Sequence, residues 1–504
     1  MRNDKQPIIV GVSQEVWREQ EPSRTPVDAL LAVATAALSD TGSSATLASV
    51  DAIYHVPFIL TQQPHLKDAM PVNAGAALAQ RLGINAAQYT GNKGGNLPQE
   101  FVNAAAENLL SGEHDTVLIC GVELLATFLG TVRSGKGFPD WTTGLEDSAE
   151  YVYASPDLTA PSEFAHGLFE PINAYPLFES ALRHAQGNTV TEHSSQIAAL
   201  VSRMSAVAAQ NPYAWKRQFY APEAVLDTSG GNRMISHPYT KLMNAIIAVD
   251  QAAAVVMTTV GKAKAMGIDP SRWIYLRGAA QAHDTWYLSE RPELHRSRAL
   301  EVIGAAALKQ SGLGLEELSF FDLYSCFPSA VQVACNALGI SAADPRGVTI
   351  TGGLTLFGGP GNNYSLHAIA ELVARVRADD AGASGLISAN GGYLTGHAVG
   401  VYSRAPGETP WAPLDYAALQ NQVDAVRGPA LCDEGSGVFS IEAHTVRCDR
   451  DGPVEAIAIG RLADGKRCVA VSDQDALMTR LIENDCVGMT GAVEHVDGKN
   501  HFSL

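Results

Sequence analysis

Tyr324 and Cys326 stand two positions apart at the end of the apolar run Phe320-Phe321-Asp322-Leu323, and Asn390 and His397 flank a glycine-rich stretch running from Gly391 to Gly396. A phenol, a thiol, an amide and an imidazole can hold, pass or donate a proton. Two glycine pairs, Gly94-Gly95 and Gly358-Gly359, stand where backbone must approach a ligand or another part of the chain closely. Each side chain also has a plainer occupation. A free Cys in an apolar strand-to-helix run is a small buried hydrophobe, as Cys120 and the four Cys beyond Leu431 read as well. Tyr324 suits a core aromatic and His397 a packing histidine. His367, three residues after Tyr364 on a helix, reads as a surface residue, and Asn362 and Asn363 read as helix caps. No Cys or His spacing suggests a metal site.

The elements that must position these groups are written twice, at an offset of about 270 residues. DALLAVATAALSDTGSSATLASVDAIY at 28–54 matches RALEVIGAAALKQSGLGLEELSFFDLY at 298–324. In the same order, IIVGVSQ around Gly11 matches IYLRGAAQ around Gly278, the Gly94-Gly95-Asn96 triplet matches Pro360-Gly361-Asn362, and TVLICG matches GLISANG. Two copies related by a pseudo-twofold axis bring equivalent loops together, so a site is expected where they meet. Within each copy apolar strands alternate with helices, which implies parallel pairing with helices on both faces.

The copies span 1–271 and 272–404. The first carries an insertion at about 131–243, rich in aromatic, Pro, Ser and His residues, with one clear helix over 194–209 and a position covering the site. Pro406, Pro410 and Pro413 mark a linker, after which 415–504 shows four short strand patterns and a helix over 474–482, the pattern of a small OB-like β-barrel. This barrel lacks the basic, aromatic-rich surface that binds oligonucleotides, so a structural or substrate-covering role is expected.

The whole chain of 504 residues is too long for one core, and 46% hydrophobic with 17% charged residues describes a well-packed globular protein. A net charge of −18 argues against nucleic acid or anionic membrane as a partner. Seven scattered Cys and an N-terminus that moves straight into a strand point to the cytoplasm.

Four segments resemble the thiolase superfamily. FDLYSCF at 321–327 is similar to its His/Asn-Glu-Ala-Phe segment, and GGLTLFGGP at 352–360 to its Gly-Gly-x4-Gly-His-Pro. NPYAWKR with RMISHPYTKL and AVDQAAAVVM is similar to the sterol carrier branch, and ANGGYLTGHAVGVYS occupies the C-terminal Cys-x-Gly-x-Gly region. With the appended domain, the resemblance points to thiolase-like proteins of type 1. It implies a duplicated α/β fold, two βαβαβαββ halves in a five-layered αβαβα arrangement. It also implies CoA or acyl-CoA as substrate, without a permanently bound cofactor, in a homodimer or a monomer active in lipid metabolism.

Thiolase chemistry uses a Cys thiolate at a helix N-terminus, a His that activates it, a second Cys for the α-carbon proton and two oxyanion holes. Here the loop at 91–96 contains neither Cys nor Ser, Gly359 stands at the His of the Gly-His-Pro segment, and Asn390 stands at the C-terminal Cys. Cys326 matches the acid/base Cys of the sterol carrier branch, and Tyr324 is similar to the Tyr of thiolase-fold aldolases. The resemblance therefore assigns proton transfer to Cys326 or Tyr324, with His397 as a proton carrier and Asn390 holding an enolate oxygen. It puts Gly94, Gly95, Gly358 and Gly359 around the ligand. The expected activity is an acyltransferase of the acetyl-CoA acetyltransferase kind or a retro-aldol lyase on acyl-CoA. The alternative is a non-catalytic acyl-CoA or lipid binding protein.

Overall fold

The computed structural model describes residues 3–63, 66, 69–92, 94–146, 148–152, 156–379 and 382–504. The first half contains β1 (Pro7–Val16), α1 (Pro26–Asp40), β2 (Ala52–Val56), α2 (Ala74–Leu82), β3 (Ala87–Thr90), α3 (Leu97–Ser111) and β4 (Thr116–Leu124). The insertion follows, with long helices α4 (Pro171–Gln186) and α5 (Val190–Gln210), and β5 (Asp250–Thr259) closes the half. The second half runs β6 (Ile274–His283), α6 (Arg298–Ser311), β7 (Phe320–Asp322), α7 (Pro328–Leu338), α8 (Tyr364–Ala378), β8 (Ser384–Gly391) and β9 (Gly396–Ser403). An irregular segment over 339–363 stands in place of its third strand.

The strand order β3-β2-β4-β5-β1 in the first half repeats as β7-β8-β9-β6 in the second. The two sheets join where β1 and β6 pair antiparallel through Ile8 with Tyr275 and Ile9 with Ile274. In β5 alternate residues feed two cores. Ala253, Val255 and Met257 face inward, while Ala252, Ala254 and Val256 pack under α1. Burial on both faces explains why this strand reads as a continuous apolar run. Helices α1 and α2 cover the outer face of the first half and α6 and α7 that of the second, while α3 and α8, buried on nearly all sides, lie between the sheets. The five-layered αβαβα arrangement expected from the sequence is therefore present.

Equivalent local chemistry shapes both halves. Helix α1 starts with a reciprocal capping box, Thr25 accepting from the Asp28 amide and Asp28 from the Thr25 amide, and α6 starts on Ser297 and stops at Gly312 in the left-handed region. A Cβ on Gly11 would overlap the Ala37 carbonyl oxygen, and one on Gly278 would overlap that of Ala307. Only glycine lets each helix lie this close to its strand.

Beyond α9 (Tyr416–Asp424), strands β10 (Gly437–Cys448), β11 (Pro453–Leu462) and β12 (Arg467–Ser472), helix α10 (Asp475–Glu483), and strands β13 (Thr490–Val496) and β14 (Lys499–Ser503) form the C-terminal unit. Their order β10-β11-β12-β14-β13, with β13 paired back to β10, closes a five-stranded barrel. The strand β14, after the Asp497-Gly498 turn, is a fifth strand beyond the four the sequence suggested. The barrel grips the rest of the chain through buried polar contacts. The Arg467 guanidinium donates to the carbonyls of Ser289 (3.0 Å) and Arg291 (2.5 Å), and the Asn500 amide donates to His166 Nε2 at 2.8 Å.

Candidate functional site

The central helices α3 and α8 begin side by side, each held by the opposite half. The Gly94 amide donates to Asn362 Oδ1 (2.9 Å), Ser365 Oγ donates to the Gly95 carbonyl (2.7 Å), and Asn363 Nδ2 donates to the Gly121 carbonyl (2.9 Å). A Cβ on Gly391 would overlap Asn96 Oδ1, and one on Gly121 would overlap Asn363 Oδ1. These are images of one another, so the triplet Gly94-Gly95-Asn96 corresponds to Gly361-Asn362-Asn363, one residue later than the sequence match placed it. Asn362 and Asn363 thus bridge the halves, and Asn363 makes no side-chain cap.

Tyr324 and Cys326 lie between the end of β7 and the start of α7, whose first residue is a proline following the extended Phe327. The Tyr324 amide is held by Ser388 Oγ at 3.1 Å. A Cβ on Gly95 would overlap the Tyr324 hydroxyl and lie 2.7 Å from the Asn390 carbonyl oxygen, so α3 starts directly against this segment. Asn390 Nδ2 donates to the Tyr175 hydroxyl at 3.0 Å and lies 4.0 Å from Cys326 Sγ, while its Oδ1 is buried with no partner among the described residues. Tyr175 donates to the Gly392 carbonyl at 2.9 Å and stacks on Phe327 at 4.4 Å between ring centres.

Burial decides the protonation of this cluster. It pushes the Cys326 thiol up to about 12, only partly offset by the neighbouring Tyr175 hydroxyl, and it raises the Tyr324 and Tyr175 phenols as well. At neutral pH all three groups carry their protons and act as donors.

The other expected site residues lie apart from this cluster. His397 pairs across the strands with Asn390, but its Nε2 is 3.0 Å from the Leu394 carbonyl, 3.2 Å from Ser297 Oγ and 3.5 Å from Asp284 Oδ2, a buried net around the cap of α6. Burial raises the Asp284 carboxyl, and the bond from His397 with the charge of Arg291 more than reverses this and holds it low. Gly358 sits beside Gln251, and the Gly359 amide donates to the Ile246 carbonyl at 2.8 Å, so both pack against the approach to β5. His367 is fully buried, with Nδ1 3.1 Å from Gln14 Oε1, because the first half of α8, Tyr364 to Ala370, is enclosed on every side. Cys120, Cys468 and Cys486 are buried as read, whereas Cys432 and Cys448 are half-buried. Among the described residues no group of three or more His, Cys, Asp or Glu could hold a metal ion.

A cleft of about 200 Å³ lies beside the Gly391–Gly396 turn, lined by Asn96, Glu100, Gln281, His283, Trp286 and Gly392 among others. Burial raises the Glu100 carboxyl to about 7, against a 2.8 Å bond from Asn96 Nδ2. Lys93, in the loop before α3, lies outside the described residues.

Residues 418–499 match the family model of the thiolase-like protein type 1 additional C-terminal domain. Over its whole length the chain superposes on the crystal structure of a monomeric SCP2-thiolase like protein type 1 from Mycobacterium smegmatis, with a TM-score of 0.86, 32% identity and 100% of both chains covered. The chain belongs to the thiolase-like protein type 1 family. More distant structures share the fold alone. An Ltp2-ChsH2(DUF35) aldolase has a TM-score of 0.57 at 18% identity over 79% of this chain and 98% of its own. An acetyl-CoA acetyltransferase from Syntrophomonas wolfei has 0.53 at 16% identity over 80% and 99%. No curated protein matches the chain in sequence.

Two side chains of this thiolase-like protein escaped the sequence reading. Tyr175 comes from α4, where Pro171 and Pro176 hide a 16-residue helix. Pro171 opens the helix and Pro176 sits inside it, where an interior proline argues against helix. Glu100 went unremarked because nothing in the sequence around it shows that α3 is buried in the middle layer. A protonated, enclosed Cys326 carries a chemical consequence. Below about 1 part in 10⁴ is thiolate at pH 7.5, so iodoacetamide is expected to label Cys432 first and to spare Cys326 until the chain is unfolded. Peptide mass mapping checks this, and rapid labelling of Cys326 that CoA blocks is the contrary result.

Proposed function

We propose that this chain binds the thioester end of an acyl-CoA where the start of α3 meets the ends of β7 and β8, and makes or breaks the carbon–carbon bond beside the thioester carbonyl without a covalent acyl-enzyme. The observation that carries this reading is the convergence of Tyr324, Cys326, Asn390 and Tyr175 on one buried point beside Gly95. Protonated donors in a dry site stabilise negative charge on a thioester enolate far better than they do in water. The missing nucleophile directs the choice toward an acyltransferase of non-covalent type or a retro-aldol lyase. The protein acts as a monomer, like the Mycobacterium smegmatis protein it resembles. It works in the cytoplasm, which suits seven free thiols. No helix among the described residues is long and apolar enough to cross a membrane.

A second reading, an acyl-CoA binding protein without turnover, is favoured by the same protonation, because Cys326, Tyr324 and Tyr175 leave no base within their own cluster. Calorimetry with acyl-CoA and turnover assays of Cys326→Ala and Tyr324→Phe separate the two. The catalytic reading expects binding together with a fall of about 10²-fold or more in turnover for at least one variant. Binding with no turnover in any form supports the carrier. Absence of acyl-CoA binding sinks both.

A further inference from the structure

Glu100 lies in the first turns of α3, and its side chain is nine-tenths buried in the cleft beside the Gly391–Gly396 turn. Asn96 Nδ2 donates to Oε1 at 2.8 Å, and no second hydrogen bond from the described residues reaches the carboxyl. Buried carboxyls are ordinarily paired or satisfied on both oxygens. This one is held by a single bond among the described residues and faces a cavity. The cavity adjoins the proposed thioester site, since Gly391 and Gly392 line it while Asn390, the residue before them, reaches Tyr175 and Cys326.

We propose that Glu100 is the base that removes the proton from the carbon beside the thioester carbonyl of an acyl-CoA entering this cleft. The inference rests on the thioester reading given above. In the step the Cα–H bond breaks and its electron pair forms the carbon–carbon double bond of the enolate. The carbonyl π pair moves onto oxygen, and the proton goes to the Glu100 carboxylate, which becomes the acid. Reversal returns a proton to the same carbon, so no oxidant or co-reactant is consumed. The start of α3 supplies positive potential for the enolate oxygen.

The division of labour follows from protonation. Cys326, Tyr324 and Tyr175 can only donate at neutral pH, whereas burial brings Glu100 to where it both accepts and returns a proton. Among the described residues the facing titratable groups are His283 from β6 and Tyr416 from α9, with Glu107, whose carboxyl burial raises, further along α3. Asn96 is a positioning residue that orients the carboxyl.

Propionyl-CoA incubated with the full chain in D₂O is the test. The wild type is expected to exchange the α-hydrogens, read by mass spectrometry, at a rate that rises with pH and levels off above about 7. Glu100→Gln, isosteric and uncharged, should slow exchange by about 100-fold while the calorimetric Kd stays within about threefold. Glu100→Asp should retain part of the rate and keep the pH profile. Binding with exchange that Glu100→Gln leaves intact, or binding with no exchange at all, overturns this inference alone. No binding of propionyl-CoA or a longer acyl-CoA by the wild type overturns the thioester reading and this step with it.

Discussion

Alanine at Gly391 is expected to destabilise the protein by about 3 kcal/mol, near the upper end for a single added methyl in a packed interior. Its Cβ would overlap Asn96 Oδ1 and come within 3.0 Å of the Gly94 Cα, so the obstruction is partly backbone at the junction of the halves. Gly83 is the control. It stops α2 in the left-handed region at φ +69° with nothing within 4 Å of its Cβ position, so alanine there costs about 1 kcal/mol of backbone strain alone. Adding Asn96→Ala to Gly391→Ala removes the nearest obstruction and should recover much of the loss, an interaction a double-mutant cycle in urea resolves. Equal urea midpoints for Gly391→Ala and wild type would show that the junction is not packed as described.

The second large effect is acid lability. His55 and His237 fall to about 4 and His367 and His444 to about 3, each chiefly through burial, with Arg183 adding to the shift at His237 and His444. An unfolded histidine titrates near 6.5. As pH falls below 6.5 the unfolded chain therefore binds protons that the folded chain refuses. The four contributions are whole above that pH and are lost progressively as it drops toward 4 and 3. At roughly 1.4 kcal/mol per pH unit, each histidine costs about 2 kcal/mol by pH 5. Glu100 works in the opposite direction, because its folded carboxyl takes a proton before the unfolded one does, and it returns about 3 kcal/mol between pH 7 and 4.5. Glu123, raised by burial, adds to that return. The histidines prevail because there are four of them and their loss continues after the carboxyls have finished titrating. Urea midpoints at pH 7.5, 6 and 5 should decline, with net proton uptake on acid unfolding. A flat profile over that range is the contrary outcome.

Much of this architecture was legible because the duplication repeats the residues that geometry forces. Gly11 and Gly278 recur since a helix crosses its strand too closely for a side chain in both copies, and a glycine stop such as Gly312 bounds a helix by chemistry that needs no tertiary context. Strands of the barrel showed through alternation, except β14, whose five residues are too short for a period to stand out. Reading failed where enclosure overrides local pattern. His367 looks like a surface residue on any helix packed on one side, and the first two turns of α8 are packed on all sides. Tyr175 was hidden behind two prolines in a helix that tertiary contacts hold together. Tyr324, Cys326 and Asn390 were singled out from a resemblance, and nothing in their spacing revealed that a fourth residue, from the insertion, would stand among them.

The contact between the Asn500 amide and His166 has a consequence in time. Segment 160–170 emerges from the ribosome more than three hundred residues before its partner. At synthesis rates of roughly 5 to 20 residues per second, the wait is about 15 to 70 seconds, long compared with helix and hairpin formation. During that interval the two halves can dock and bury α3 and α8, while the insertion lacks the barrel that later pins it. The nascent protein thus passes through a stage with its inner framework assembled and its outer wall unfastened, and a chaperone or protease meeting it then would find that wall first.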